Sequence, residues 1–132
     1  MEVGNMDVRQ DMKYTREHEW VRMEGDTAYI GITDHAQEAL GAIVYVELPL
    51  EGKEMEAGDS FAVLESVKAA SSVYTPFAGK IVFVNRALEE KPELLNEEPY
   101  EQHIAGISPV DQSLFSGLMD AESYTVFVAS GG

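Results

Sequence analysis

The sequence predicts a mainly β domain, a barrel or sandwich, with a short early helix and a helical C-terminus. Three observations carry this reading. Strand-like runs are short and recur at regular spacing between turn residues, as in closed or two-layered β folds. Helix-start signals stand at Thr33-Asp34, Ser108-Pro109 and Asp120. The length, 132 residues with 45% apolar, suits one domain with a modest core and argues against disorder.

Along the chain, residues 1–12 read as a flexible lead-in. Residues 20–32 form a hairpin turned at Gly25-Asp26. Thr33 or Asp34 caps a helix whose apolar face is Ala36, Ala39 and Leu40, and Gly41 ends it. Ile43–Leu48 is a strand closed by Pro49. Gly58-Asp59 turns the chain into Phe61–Ser66, and Val73–Thr75 returns from it. Pro76 to Gly79 breaks that arm before the strand 80–84. The runs near 43–48 and 81–84 are apolar at successive positions, so both of their faces are expected to be buried. Residues 88–100, with Pro92, Pro99 and many glutamates, read as a surface connection with one helical turn. A helix then starts with Ser108 as cap, Pro109 in the first position and Asp111 near the positive end of the dipole. Val110, Leu114, Phe115 and Leu118 make its buried stripe. Asp120 caps a last helix holding Ala121, Tyr124 and Val128, although Thr125–Val128 is strand-prone.

Composition narrows the function. Net charge is −15, from 24 acidic and 9 basic residues. Such a surface repels nucleic-acid phosphates and anionic membranes. It fits either simple solubility or steering towards basic partners. There is no cysteine, so disulfides and thiolate metal sites are excluded, and thiol redox chemistry would need sulfur from an attached group. His18, His35 and His103 show no metal-ligand spacing. No Gly-rich phosphate loop or nucleophile motif is present, which argues against an independent enzyme. No apolar run is long enough to span a bilayer. Residues 1–12, with Glu2, Asp7 and Asp11 against Arg9, match neither a signal nor a transit peptide.

One residue stands out. Lys68 lies in Glu65-Ser66-Val67-Lys68-Ala69-Ala70-Ser71-Ser72, at the tip of the hairpin joining 61–66 to 73–75. Its small neighbours leave the ammonium open to another enzyme. A lone lysine at a tip is ordinarily a solubilising charge. Three motifs change that balance: Lys13–Val21 (KYTREHEWV), Gly31–Gly41 (GITDHAQEALG) and Glu65–Ala69 (ESVKA). Together they resemble the H-protein family of the glycine cleavage system, the lipoate-bearing shuttles. Val46-Glu47-Leu48-Pro49 and Pro92–Tyr100 extend the resemblance.

The resemblance implies a flattened barrel or sandwich of lipoyl-domain type over residues 13–132. It implies lipoate in amide linkage to Lys68, with Glu65, Ser66, Val67 and Ala69 around the attachment point. Glu65 and Ser66 belong to what a lipoylating enzyme, a lipoate ligase or a lipoyl/octanoyl transferase, reads. Gly58 and Gly79 shape the turns. The implied partners are a pyridoxal-phosphate glycine decarboxylase that loads an aminomethyl group, a folate-dependent aminomethyltransferase that removes it, and a dihydrolipoyl dehydrogenase. The loaded arm folds into a groove lined by Glu19 and His35, while His18 orders its own turn. The carrier performs no catalysis of its own. Its setting is the bacterial cytoplasm, or the mitochondrial matrix where a transit peptide has been removed.

Two departures stand against the family pattern. An acid is usual four residues beyond the lysine, and Ser72 stands there. The stretch Glu101–Ile107 lacks the family's usual tryptophan and lysine, which leaves the packing of that strand open. These departures sustain an alternative, a lipoyl relay or regulatory binding protein without full glycine cleavage activity. A biotin carrier would place methionines beside the lysine. A lipoyl domain of a 2-oxoacid dehydrogenase would place an acid before it and continue into a Pro/Ala-rich linker.

Overall fold

The computed structural model describes residues 7–132. The chain runs β1 (Lys13–Tyr14), β2 (Glu19–Glu24), β3 (Thr27–Ile32), α1 (Asp34–Leu40), β4 (Ile43–Glu47), β5 (Glu54–Met55), β6 (Ser60–Ser66), β7 (Ala70–Tyr74) and β8 (Gly79–Val84). It continues through α2 (Ala87–Glu90), α3 (Leu94–Glu97), β9 (Ala105–Ser108), α4 (Gln112–Ser116) and α5 (Ala121–Ala129). A six-stranded sheet ordered β1-β2-β3-β9-β8-β5 faces a three-stranded sheet ordered β4-β6-β7. All pairings are antiparallel. The main core lies between the sheets and includes Ile30, Leu64, Ile81, Leu88, Leu95 and Ile107. A smaller aromatic core joins Met12, Tyr14, Trp20, Tyr100 and Tyr124.

The β-rich architecture, the early helix and the helical C-terminus agree with the expectation. Thr33 is the cap of α1: its hydroxyl accepts from the Ala36 N–H at 3.2 Å. Asp120 caps α5 in the same way, through Ser123.

Other expectations need correction. The runs at 43–48 and 81–84 are not buried on both faces. Val44 and Tyr45 are 54% and 52% exposed, and Val82 and Phe83 are about equally open at 41% and 40%. A register shift lies in each strand, between Ile43 and Tyr45 and between Ile81 and Phe83. A bulge puts two successive side chains on one face, so an outward pair reads in sequence as a doubly buried run. Residues 88–100 are more than a surface connection. They hold α3 and the end of α2, whose Leu95 and Leu88 are fully buried.

The helix expected from Ser108 starts later, with Asp111 as its cap. Ser108 ends β9 and pairs with Lys80, and the Val110 N–H donates to Asp26 O at 2.8 Å. These bonds hold the segment extended. Of the expected stripe, Val110 is buried, but Leu114 is 55% exposed. Ala39 of α1 is exposed as well.

Of the lead-in expected over 1–12, residues 1–6 lie outside the described residues. Residues 7–12 are held: Arg9 N donates to the Tyr14 hydroxyl, the Tyr100 hydroxyl donates to Asp7 O, and Met12 is buried.

Candidate functional site

Lys68 sits in a two-strand hairpin with a tight turn. Glu65 pairs with Ala70, and the turn Ser66–Ala69 closes with Ser66 N–H donating to Ala69 O at 2.7 Å. The Ser66 hydroxyl completes it, accepting from the N–H groups of Lys68 (3.2 Å) and Ala69 (3.1 Å). A serine side chain bonding its own turn fixes a short loop without bulk. Glu65, Val67, Lys68 and Ala69 are all exposed, Val67 at 74%. No salt bridge among the described residues involves Lys68.

The tip is tied to the rest of the fold. Val67 N–H donates to Ala42 O at 3.1 Å, just beyond α1. Gly41 caps α1 at φ +82, and a Cβ there would lie 3.5 Å from Lys68 Cε. The lysine stem therefore lies across the end of α1, where a left-handed backbone favours glycine. Asn96 of α3 secures that end, donating to Gly41 O and to the Gln37 side chain at 2.9 Å and accepting from Ile43 N–H at 2.9 Å. Gly58 and Gly79 lie at the other end of the hairpin, before β6 and at the start of β8.

Beside the hairpin opens a groove of about 340 Å3. Its walls come from the turn before β2 (Glu17, His18) and the first residue of β2 (Glu19), from α1 (His35, Ala36, Ala39) and from the hairpin (Ala69, Ser71, Ser72). Glu19 and His35 thus meet in one groove, and it begins at the hairpin that carries Lys68. A second cavity, about 290 Å3, lies at the far end of β6, remote from the lysine.

Glu19 is only 2% exposed. Its Oε1 accepts from the Thr15 hydroxyl at 2.8 Å and its Oε2 from the Tyr74 N–H at 2.8 Å. The carboxylate so joins β2 of one sheet to the end of β7 in the other. Burial pushes its pKa up to about 7, against the pull of the Tyr74 and Thr15 bonds. Glu19 is therefore a buried, hydrogen-bonded carboxylate and not a solvated one.

His18 takes the corner of that turn, at φ +69, and its N–H donates to Thr15 O at 3.1 Å. It orders its turn as expected, and it also enters the groove. Its ring packs on His35 with centroids 4.5 Å apart, and its Nδ1 lies 2.8 Å from the Tyr124 hydroxyl. Burial, then the neighbouring His35, hold its pKa below the usual value. Sequence reasoning did not find Glu17, Ala36 or Ala39 as groove residues, nor Tyr124 behind His18. Their convergence depends on how two sheets and a helix meet, which local pattern does not encode.

A sequence model of the glycine cleavage H-protein family matches residues 12–131. The chain belongs to the glycine cleavage H-protein family. The glycine cleavage system H protein of Bacteroides thetaiotaomicron is 50% identical over 124 residues, covering 93% of this chain and 98% of that protein. The one from Thermus thermophilus is 53% identical over 120 residues, covering 90% and 94%. A crystal structure of the H protein from Mycobacterium marinum superposes with a TM-score of 0.80 at 30% identity, covering 95% of this chain and 99% of that one. Membership in the H-protein family fixes the lipoyl-domain type of the two-sheet fold and makes the chain a carrier of glycine cleavage.

Within the atypical stretch 101–107, residues 104–107 are buried, while Glu101 is exposed. Ala105, Gly106 and Ile107 are buried between β3 and β8. A Cβ at Gly106 would lie 3.0 Å from the Tyr29 ring, so the tyrosine already fills the space a larger residue would take. His103 packs between Tyr29 and Phe83 with tilted rings, centroids at 4.7 and 5.0 Å.

Proposed function

We propose that the chain carries lipoate as an amide on Lys68 and shuttles the aminomethyl group of glycine between the enzymes of glycine cleavage. The observation that supports this most is an exposed lysine on a hydrogen-bonded two-strand tip, beside a groove with a buried carboxylate. The residues fit the group. A groove of this size falls within the range that receives small ligands. When bound, lipoate supplies a redox-active disulfide, which a chain without cysteine cannot supply itself.

The chain's own residues provide placement and protection. Ser66 holds the turn, so Lys68 meets the lipoylating enzyme, a lipoate ligase or a lipoyl/octanoyl transferase, in one fixed geometry. Glu65, Val67 and Ala69 form the exposed surface around it. In the amide the Lys68 nitrogen no longer carries the ammonium charge, and no ion pair among the described residues depends on that charge. The walls from α1 and the hairpin shelter the sides of a groove that stays open to solvent at its rim. Glu19 and His35 supply a hydrogen-bonding end for an amine.

The partners are a pyridoxal-phosphate glycine decarboxylase, a folate-dependent aminomethyltransferase and a dihydrolipoyl dehydrogenase. The chain is their shared substrate and not a catalyst. Residues 13–132 act as a single carrier domain. Bacterial relatives favour a cytoplasmic setting.

The test is intact-mass measurement after co-expression with a lipoylating enzyme. One lipoyl addition is expected in the wild type and none in Lys68→Ala. An unmodified wild-type mass would remove the carrier assignment.

A further inference from the structure

The segment from Asp7 to Met12 reaches the start of α1, and one arginine fastens it there. The Arg9 guanidinium meets Asp7 Oδ2 through Nε and Glu101 Oε2 through Nη1, each at 3.2 Å, and lies over the Tyr100 ring at 5.1 Å. We infer that Arg9 is a positioning residue for the groove. It latches residues 7–12 onto Glu101 and Tyr100, and the latched segment sets where α1, the wall that carries His35, begins. That the groove serves an arm on Lys68 rests on the carrier reading above; the latch itself belongs to the unmodified chain.

The path from Arg9 to α1 is a run of hydrogen bonds. The Asp7 N–H donates to Asp34 Oδ2 at 3.1 Å, and Asp34 is the first residue of α1. The Tyr100 hydroxyl donates to Asp7 O at 2.5 Å and accepts from the Asp34 N–H at 3.2 Å, so one tyrosine ties the segment to the helix. Burial raises the Tyr100 pKa, which keeps the proton on that hydroxyl. The other Asp34 oxygen accepts from the Gln37 side chain at 2.9 Å. His35 and Ala36, next in sequence, line the groove. The Tyr14 hydroxyl holds the backbone of Arg9, accepting from its N–H at 2.8 Å and donating to its carbonyl at 2.6 Å. The backbone is therefore anchored at Arg9, and the Arg9 side chain decides whether Asp7 stays beside Asp34.

The latch is weak by construction. Arg9, Asp7 and Glu101 are all partly exposed, so each ion pair is modest and screened by salt. Tyr14, Tyr100 and Met12 are buried in the aromatic core. Opening at Arg9 thus frees Asp7 and the first turn of α1 while that core stays packed. Residues 7–11 precede the stretch that the family model matches, and Glu101 opens the atypical stretch 101–107.

The test is amide hydrogen exchange and NMR on the unmodified protein. In Arg9→Gln, exchange at Asp34 is expected to speed by about three- to tenfold, from the loss of two exposed ion pairs and one cation–π contact. Salt at about 1 M should speed Asp34 exchange in the wild type and have little effect in Arg9→Gln. Glu101→Gln should reproduce part of the effect, and combining it with Arg9→Gln should add nothing further. The amide signals of His35 and Ala36 should move in Arg9→Gln, while those of Ser71 and Ser72, in the opposite wall, stay in place. Unchanged exchange at Asp34 in Arg9→Gln would overturn the inference. So would shifts of equal size in both walls, or faster exchange throughout the chain with a lower urea midpoint, which mark a general loss of stability. Failure of the carrier reading shows separately, as no lipoyl addition at Lys68 by mass; it leaves the latch standing and removes only its bearing on an arm.

Discussion

At the scale of single residues, Glu19 carries most of the consequence. A carboxyl that titrates at 4.5 in an unfolded chain is held at about 7 in the fold. Between those values the native state binds more protons than the unfolded state. Stability therefore falls as pH rises through that window, and the loss is complete above it. The shift is worth on the order of 3 kcal/mol. Glu19→Gln removes the titration while keeping an oxygen to accept from Thr15 or Tyr74. Urea unfolding at about pH 5 and about pH 8 should therefore show a larger loss of stability in the wild type than in Glu19→Gln. Parallel losses in the two proteins would mean that Glu19 stays ionised in the fold. The same burial explains why a sequence reading that placed Glu19 in the groove did not see its environment. Its partners, Thr15 and Tyr74, come from a tight turn and from the other sheet.

At the scale of elements, Asn96 joins α1 to β4, the strand that pairs with the first arm of the hairpin. Its side chain makes three bonds, to Gln37, Gly41 and Ile43. Asn96→Ala should lower stability by about 2 kcal/mol and speed amide exchange at Ile43. Exchange unchanged at Ile43 would show that packing alone holds the joint. Elements with a local signature were legible in the sequence: the hairpins at Gly25-Asp26 and at Lys68, the Thr33 cap and the Asp120 cap. Elements decided by tertiary contacts were not. β9 contains Ala105 and Gly106, weak strand formers, and is a strand because β3 and β8 leave an open slot between them. The bulges in β4 and β8 were invisible for the same reason, since a bulge is a property of a pair of strands. In α2 and α3, Leu88 and Leu95 are buried by the sheets beneath them, although prolines and glutamates surround them in sequence.

At the scale of the whole molecule, the groove lies where two cores meet. The main core supplies Ile32, Leu40, Leu64 and Val73 to its floor. The aromatic core supplies Tyr124, whose ring stacks on Tyr14 at 4.6 Å. Its hydroxyl reaches both His18 Nδ1 and Thr33 Oγ1, each at 2.8 Å. The C-terminal helix α5 is thus connected by one side chain to the turn that presents Glu17 and Glu19 and to the cap of the helix that presents His35. Tyr124→Phe keeps the stacked ring and removes only that connection. His18 Nδ1 then lacks this partner and Thr33 Oγ1 keeps only the Ala36 N–H, which should lower stability by about 1 kcal/mol. The ring proton signals of His18 should move, while those of His103, held between Tyr29 and Phe83, should not. If the groove were set by the sheets alone, His18 would be as unaffected as His103. The expected difference between the two histidines locates the coupling in the tyrosine hydroxyl and makes α5 part of the groove's support.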